Sequence, residues 1–305
     1  MNTRVISIIT SWGGSLGNGH IQRMAGLAVY LNSRGIEARI ICGSVPPADH
    51  RDLSGLVRPE LPPSSTLIIR DMRDSSTHEI RELKKSGPVL SIDDLGPGRR
   101  EADFSLDLLP NVSDTPESRQ FQLRNFLYGI NFTDSLRIMG TAPVHRKIDV
   151  ALYPGHNPSL DYIDSLLSII PASASVALFV KPSPVLIQNG TRTPLTDEYG
   201  AGVLLSSRVL ISHFGITLYE ARLAGCRLIT VNPTSYHSSL ADSVKDDLGL
   251  VNLGTPERID RPSAMRSVTY AIENPEGPEA SPSEALTAVE RGLDSFLSHI
   301  MKYIM

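Results

Sequence analysis

Two glycine-bearing loops, each set between an apolar strand-like run and a helical segment, constrain most strongly what this chain can fold into. The first, Gly13-Gly14-Ser15-Leu16-Gly17-Asn18-Gly19-His20, follows residues 5–9 and leads into a helical stretch over 20–34. The second, Ser212-His213-Phe214-Gly215-Ile216-Thr217-Leu218-Tyr219-Glu220, follows Val209-Leu210-Ile211. A helix N-terminus presents unpaired N–H groups and the positive end of its dipole, and glycine lets the backbone approach an anion closely, so both loops favour phosphate. Their presence in both halves predicts a ligand gripped by two domains.

The intervening pattern supports this reading. In the N-terminal half, short apolar runs at 5–9, 38–42, 67–69 and 89–92 are bounded by Gly, Pro or charge, as buried parallel strands are. Between the first two lies a helix with Met24, Leu27, Ala28 and Leu31 on one face and Gly35 as its stop, and 79–85 reads as a shorter, more charged helix. Ligands of such sheets sit at the carboxyl ends of the strands, which gathers the first glycine loop, Arg70-Asp71 and Asp93-Asp94 on one rim. A polar, proline-bearing stretch over 141–147 reads as a linker. Beyond it the series repeats, with strands at 149–153, 176–180, 209–211, 227–231 and 250–253 and helices near 159–170, 217–224 and 238–248.

After a Pro/Gly-rich loop over 273–281, Ser281 as cap, Pro282 at the first helical position and Glu284 closing a capping box open a last helix. Its apolar stripe runs from Leu286 and Val289 through Leu293, Phe296 and Ile300 towards Ile304. That stripe needs a large partner surface, either the other domain or a second copy of the chain in a homodimer. The expected fold class is α/β, with two Rossmann-like doubly wound domains facing across a cleft. The expected domains are 1–143 and 144–280, with the helix 281–305 bridging back.

Composition narrows the class of function. With 29 Lys and Arg against 33 Asp and Glu, scattered among one another and giving a net charge of −4, the chain has no nucleic-acid footprint. No apolar stretch reaches the length of a transmembrane segment. The apolar core of residues 1–10 is too short for a signal peptide and runs straight into the glycine loop. Cys42 and Cys226, each beside an apolar strand, read as buried free thiols of a reducing compartment. The expected location is cytoplasmic.

The residues also carry a resemblance. Gly17-Asn18-Gly19-His20-Ile21-Gln22-Arg23, followed by Leu27-Ala28 and Arg34-Gly35, is similar to the Gly-x-Gly-His-x-x-Arg opening of the UDP-sugar hydrolases of pseudaminic acid biosynthesis and the spore-coat polysaccharide glycosyltransferase-like proteins. Asp71, Ile92-Asp93-Asp94-Leu95, then Ile211-Ser212-x-x-Gly215-x-Thr217-x-Tyr219-Glu220-Ala221 and Asn252-Leu253-Gly254 continue the same order. The resemblance covers both halves and implies the GT-B architecture, with a nucleotide-sugar, UDP-linked, as substrate and no separate cofactor. The chain departs from that pattern at Asp71-Met72-Arg73-Asp74, which lacks the tyrosine of the hydrolases. It departs again at Tyr153-Pro154-Gly155-His156-Asn157, at His213-Phe214-Gly215 and at Tyr236-His237. The missing tyrosine and the altered second loop favour transfer over hydrolysis.

Cleaving the anomeric C–O bond of a nucleotide-sugar needs an activated acceptor oxygen and a stabilised diphosphate leaving group. His20 is the candidate base, an imidazole that the dipole of its own helix holds neutral. Gly17 and Gly19 in the first loop, and Gly215, Ile216 and Thr217 in the second, are candidate phosphate ligands, with Arg23 and His213 available to phosphate charge. Thr217-x-x-Glu220 reads equally as a capping box. For Glu220 the resemblance implies contact with ribose. Adjacent strand-end residues point to opposite sides, so Asp93 and Asp94 do not share an ion, and Asp94 is either a loop tether or a sugar ligand. Asn157, Tyr236 and His237 follow strands of the second domain, where base and sugar contacts belong. No Asp-x-Asp or Cys/His cluster points to a catalytic metal.

The expected function is a nucleotide-sugar-dependent, glycosyltransferase-like enzyme of surface glycan or protein glycosylation, with a glycan, protein or water as acceptor. The alternatives are a hydrolase of the pseudaminic acid type that releases UDP and free sugar, and a non-catalytic nucleotide-sugar-binding protein. A nicotinamide dehydrogenase is disfavoured, because Gly14-x-x-Gly17-x-Gly19 lacks the dinucleotide spacing and no acid ends the run 38–42.

Overall fold

In the computed structural model, which describes all residues except 1–4, 12–17, 43–52, 54, 112, 143, 156–157, 181–183, 196–199, 276–280 and 304–305, the chain divides into two compact units. The first comprises Met1–Leu109, Thr115–Ile130 and Glu290–Met305, and the second Pro110–Asp114 and Asn131–Val289.

The first unit runs β1 (Val5–Thr10), α1 (Gly19–Ser33), β2 (Glu37–Ile41), β3 (Val57–Arg58), β4 (Leu67–Asp71), α2 (Thr77–Leu83), β5 (Val89–Ile92), β6 (Phe104–Leu106) and α3 (Pro116–Arg124). Its six strands, in the order β3-β2-β1-β4-β5-β6, are parallel throughout. Every residue of β4 and β5 is buried, which is why these strands read as continuous apolar runs and not as alternation. Met24, Leu27, Ala28 and Leu31 of α1 are fully buried, and each such large side chain contributes roughly 1.5–3 kcal/mol. The helix ends where Gly35 turns left-handed at φ 76°, a conformation only glycine adopts without a Cβ penalty. The strand order reverses between β1 and β4, so the carboxyl ends of these two strands form the topological switch point of the sheet.

The second unit contains α4 (Ile130–Met139), β7 (Ile148–Tyr153), α5 (Leu160–Leu167), β8 (Val176–Leu178), β9 (Val185–Gln188), β10 (Thr191–Pro194), α6 (Ala201–Leu205), β11 (Ser207–Ser212), α7 (Ile216–Leu223), β12 (Arg227–Thr230), α8 (Ser235–Leu248), β13 (Leu250–Asn252) and α9 (Arg261–Glu273). The sheet order is β10-β9-β8-β7-β11-β12-β13. Its core strands are parallel, while β9 and β10 extend one edge as an antiparallel hairpin. The hairpin turns at Asn189 and Gly190, both at positive φ, the signature of a tight primed turn. Leu166 and Ile169, with Ala264, Val268 and Ala271 of α9, cover Val150, Leu152, Val209 and Ile211 on one face of the sheet.

The last helix, α10 (Pro282–Ile300), starts at the expected capping box. The Ser281 amide donates to Glu284 at 3.2 Å and the Glu284 amide returns the bond to Ser281 Oγ at 3.2 Å. From residue 290 onward the helix belongs to the first unit. There a Cβ on Gly292 would stand 2.8 Å from the Phe126 carbonyl oxygen, Tyr30 donates to Asp294, and Tyr303 beyond the helix stacks on Phe104 at 4.0 Å. Among the described residues no helix is long and apolar enough to cross a membrane.

Candidate functional site

At the switch point of the first sheet, Asp71 ends β4 beside Thr10 at the end of β1, and two residues of the first turns of α1 converge on it. His20 places Nδ1 2.9 Å from Asp71 Oδ1. Arg23 donates through Nε to Oδ2 at 2.7 Å and through Nη2 to Oδ1 at 2.5 Å, while the same Nη2 reaches Asp93 Oδ2 at 2.6 Å. All three residues are buried, and the charges of Arg23 and Asp71 persist only because they are paired.

Burial by itself pushes Asp71 upward, but the Arg23 guanidinium and His20 more than offset it and hold the carboxyl well below the usual carboxylate range. Arg23 moves up, because its two carboxylates outweigh its own desolvation. Asp93 goes the other way, raised by burial and by the charge of Asp71 and only partly restored by Arg23 and the amide of Leu109. Asp71 is therefore a carboxylate. It can only accept hydrogen bonds, so in the neutral imidazole Nδ1 carries the proton and Nε2 keeps the lone pair.

Asp94 faces away from this cluster. Fully buried, it accepts from the amides of Ser75 and Gly96 at 2.9 Å each, from Ser91 Oγ at 2.7 Å and from the Ser75 hydroxyl. With its oxygens so occupied, Asp94 ties the loop after β5 to the segment before α2, and the sugar-ligand alternative has no support in its surroundings. Gly19 is the first residue of α1. Gly17 lies outside the described residues, as does most of the first glycine loop.

In the second unit, β11 delivers the other loop to α7. The helix begins at Ile216, with Gly215 in extended backbone as its cap and no side chain capping it. Thr217 and Glu220 lie inside the helix, 6% and 2% exposed. The capping box over Thr217 and Glu220 is therefore not formed, because the cap sits two residues earlier than that reading requires. A glycine cap leaves the first-turn N–H groups without a side-chain acceptor, as an anion-binding helix start requires.

His213 flanks that start. Its Nδ1 lies 2.8 Å from the Phe214 carbonyl oxygen, which can only accept, so Nδ1 is the protonated nitrogen and Nε2 the acceptor. Burial pushes its pKa down, countered in part by that hydrogen bond, which keeps the ring neutral. Nε2 rests against Gly155, where a Cβ would stand 2.8 Å from it. An aromatic chain continues from Tyr153 to His213 at 6.3 Å, to His237 at 6.1 Å and to Tyr236 at 5.7 Å from His237. The structure thus brings Tyr236 and His237, which start α8, to the same end of the sheet as α7. Asn157 lies outside the described residues. A cavity of about 450 Å³ opens here between Gly155, Ser159, Tyr162, His213 and Pro233. Among the described residues its wall carries the acids Asp161 and Glu257.

No protein-family model matches the chain, and no curated protein matches it. Solved structures do. The glycotransferase of kitacinnamycin superposes with a TM-score of 0.61 at 10% identity, covering 100% of both chains. Spinosyn rhamnosyltransferase SpnG gives 0.59 at 11% identity over 99% of each chain. UGT89C1 of Arabidopsis thaliana, complexed with UDP-L-rhamnose, gives 0.56 at 12% identity, covering 100% of this chain and 99% of the other. The chain has the GT-B fold.

In this GT-B chain each unit carries its polar constellation at the carboxyl end of its sheet, and chemistry has to be argued from those constellations, since a fold hosts many activities. The pairing of His20 with Asp71 is the feature that sequence reasoning did not draw. The sequence places both residues on one rim, and the pairing of β1 with β4 brings them into hydrogen-bond contact.

Proposed function

We propose that this chain is a nucleotide-sugar-dependent glycosyltransferase in which His20, oriented by Asp71, is the general base. The hydrogen bond from His20 Nδ1 to a carboxylate locked by Arg23 carries the proposal, because it fixes the ring in the tautomer whose Nε2 can take a proton. The acceptor hydroxyl gives its proton to Nε2, and its oxygen forms a bond to the anomeric carbon. As that bond forms, the bond from the anomeric carbon to the diphosphate oxygen breaks, and the nucleoside diphosphate leaves with the electron pair. Asp71 stabilises the imidazolium that results.

The leaving group falls to the second unit. Ile216 and Thr217, at the uncapped start of α7, supply N–H donors and dipole to the diphosphate, and Glu220 is assigned to the ribose. Tyr236 and His237, beside His213, are assigned to the base or sugar. Fold relatives whose structures hold UDP-L-rhamnose or thymidine diphosphate support a nucleoside diphosphate donor. We assign the donor to the UDP-linked class and the activity to surface glycan or protein glycosylation.

The test is a panel of UDP-, dTDP-, GDP- and CMP-sugars, with nucleotide release measured with and without added acceptors. Thermal unfolding is followed in parallel with UDP, where saturation at a hundredfold excess over Kd adds about 2.7 kcal/mol. Acceptor-stimulated release is the expected result. Free sugar released at the same rate without acceptor would make water the acceptor, and a folded protein that neither binds nor turns over any of these compounds would overturn the reading.

A further inference from the structure

One carboxylate at the rim of the first sheet has no part in the mechanism so far. Asp93 follows β5 and stands in left-handed backbone at φ 52°, a conformation uncommon outside glycine and tolerated best by Asn and Asp. Its side chain is 9% exposed. Oδ1 accepts from the amides of Leu108 at 2.7 Å and Leu109 at 2.9 Å, and Oδ2 accepts from Arg23 Nη2 at 2.6 Å. Each of these partners donates, so they hold the carboxyl as an anion. A second carboxylate thus sits on a guanidinium that Asp71 already clamps through two bonds.

Stability alone does not ask for this arrangement. Arg23 and Asp71 form a neutral pair, and Asp93 adds a negative charge where burial and the charge of Asp71 both oppose it. Proton transfer to His20 gives that charge a use. When Nε2 takes the acceptor's proton, the imidazolium stands beside Asp71, a carboxylate that Arg23 by itself would neutralise. With Asp93 balancing Arg23, the charge of Asp71 is left for the imidazolium, and the buried cluster passes from one net negative charge to none. Neighbouring charges are closed on partners of their own. Arg99, which reaches towards Asp93, is held by Asp107 at 2.6 and 2.9 Å. Arg70 projects to the opposite face of β4 and meets Glu79 at 2.7 Å, and Asp94 is occupied by Ser75, Ser91 and Gly96.

We propose that Asp93 is a positioning residue for proton transfer, which occupies Arg23 so that the Asp71 carboxylate serves the His20 imidazolium. For its place in catalysis the role rests on the glycosyltransferase reading, whereas its effect on His20 belongs to the free protein.

The experiment follows the His20 ring by NMR against pH in the full chain without substrate, its signals assigned by their loss in His20→Gln. Asp93→Asn keeps the backbone conformation and an acceptor for the Leu108 and Leu109 amides while removing the charge. Asp93→Glu keeps the charge. The expected result is that His20 protonates at lower pH in Asp93→Asn and close to the wild type in Asp93→Glu. With whichever nucleotide-sugar the wild type turns over, the acid limb of the kcat profile should move the same way in Asp93→Asn. There kcat at neutral pH should fall about 10-fold, as for a weakened base, with UDP affinity unchanged. A carboxylate that only braces the fold would lower the melting temperature and leave the titration of the ring in place. If Asp93→Asn does not fold, Asp93→Ser replaces it. Unchanged titration in a folded variant without the charge, or an equal shift in Asp93→Glu, overturns the proposal. Nucleotide-sugar turnover with unchanged titration overturns it and leaves the glycosyltransferase reading standing. The expected titration with no nucleotide bound or turned over removes that reading and leaves the effect of Asp93 on His20 in place.

Discussion

Nδ1 of His20 lies 2.9 Å from Oδ1 of Asp71, joining the first turn of α1 to the end of β4. The contact fixes which imidazole nitrogen is basic, so the two residues should fail together. His20→Ala is expected to lower kcat by roughly 10²–10⁴-fold, the range for loss of a general base. Affinity for UDP should change little, since the phosphate is assigned to the second unit. Asp71→Asn is expected to lower kcat in the same direction, because an amide can offer the ring an N–H and turn the basic nitrogen inward. Steady-state kinetics with calorimetric titration of UDP reads both effects, and unimpaired turnover in His20→Ala would remove His20 from the mechanism.

Asp71 also ties stability to pH. Its folded pKa lies below the ordinary carboxylate value, so its contribution is fully present above the ordinary value and is lost as pH falls through the folded one. Asp93, raised by burial and by Asp71, has the opposite sign and relieves strain on the fold as it protonates. Asp71→Asn is expected to cost about 3 kcal/mol at neutral pH, because it leaves Arg23 buried with a single carboxylate. Denaturant unfolding from neutral pH down into the acid range should show the gap between wild type and variant narrowing. A gap that holds constant would show that Asp71 is not the linked group.

Much of the fold is legible in the sequence, for a physical reason. β1, β4, β5, β7 and β11 are covered on both faces, so burial writes them as apolar runs, and α10 is announced by the Ser281 and Glu284 box that forms as read. β3 and β6, of two and three residues, are too short to show any period. The hairpin of β9 and β10 escapes because its strands are half-buried or exposed and carry little apolar pattern, although Asn189-Gly190 is a turn signal. α9 buries only the small or slender Ala264, Val268 and Ala271, a faint stripe. At the site, Gly215 and His213 are legible as a loop, but of the two readings open for Thr217 the capping box is not formed, because α7 starts at Ile216 with Gly215 as its cap. The partnership of His20 with Asp71, and the convergence of Tyr153, His213 and His237, depend on strand pairing and are invisible to local pattern.

Gly155 and His213 form a second coupled pair. Gly155 sits at φ 105° with His213 Nε2 2.8 Å from the place a Cβ would occupy, so Gly155→Ala meets both backbone strain and a steric clash. The substitution is expected to cost roughly 1–3 kcal/mol. His213→Ala clears the clash and leaves the strain, so the cost of Gly155→Ala in that background should fall by about 1 kcal/mol. A double-mutant cycle by urea unfolding measures the difference, and strictly additive losses would show that the ring and the glycine do not touch.

Cys226 offers a check on the core of the second unit that is independent of ligand. Both cysteines are free and buried, and Cys226 Sγ–H donates to the Leu204 carbonyl oxygen at 3.1 Å. Burial pushes its thiol up to about 12, with Arg146 opposing the shift, and a thiol that does not ionise is neither a nucleophile nor a disulfide partner. At pH 8 the native protein is therefore expected to leave Cys226 unmodified by a disulfide-exchange reagent over hours, whereas urea-unfolded chain should release two equivalents of thiol at once. A Cys42→Ser variant isolates Cys226 for the measurement, and its labelling should follow the fraction unfolded across a urea titration. The expected coincidence of labelling with unfolding arises because the sulfur lies between Leu204 and the Ser207 carbonyl, where no reagent reaches it without opening α6 from the sheet. Rapid labelling in the absence of urea would contradict the packing of α6 against β11, and with it the burial of this end of the second core.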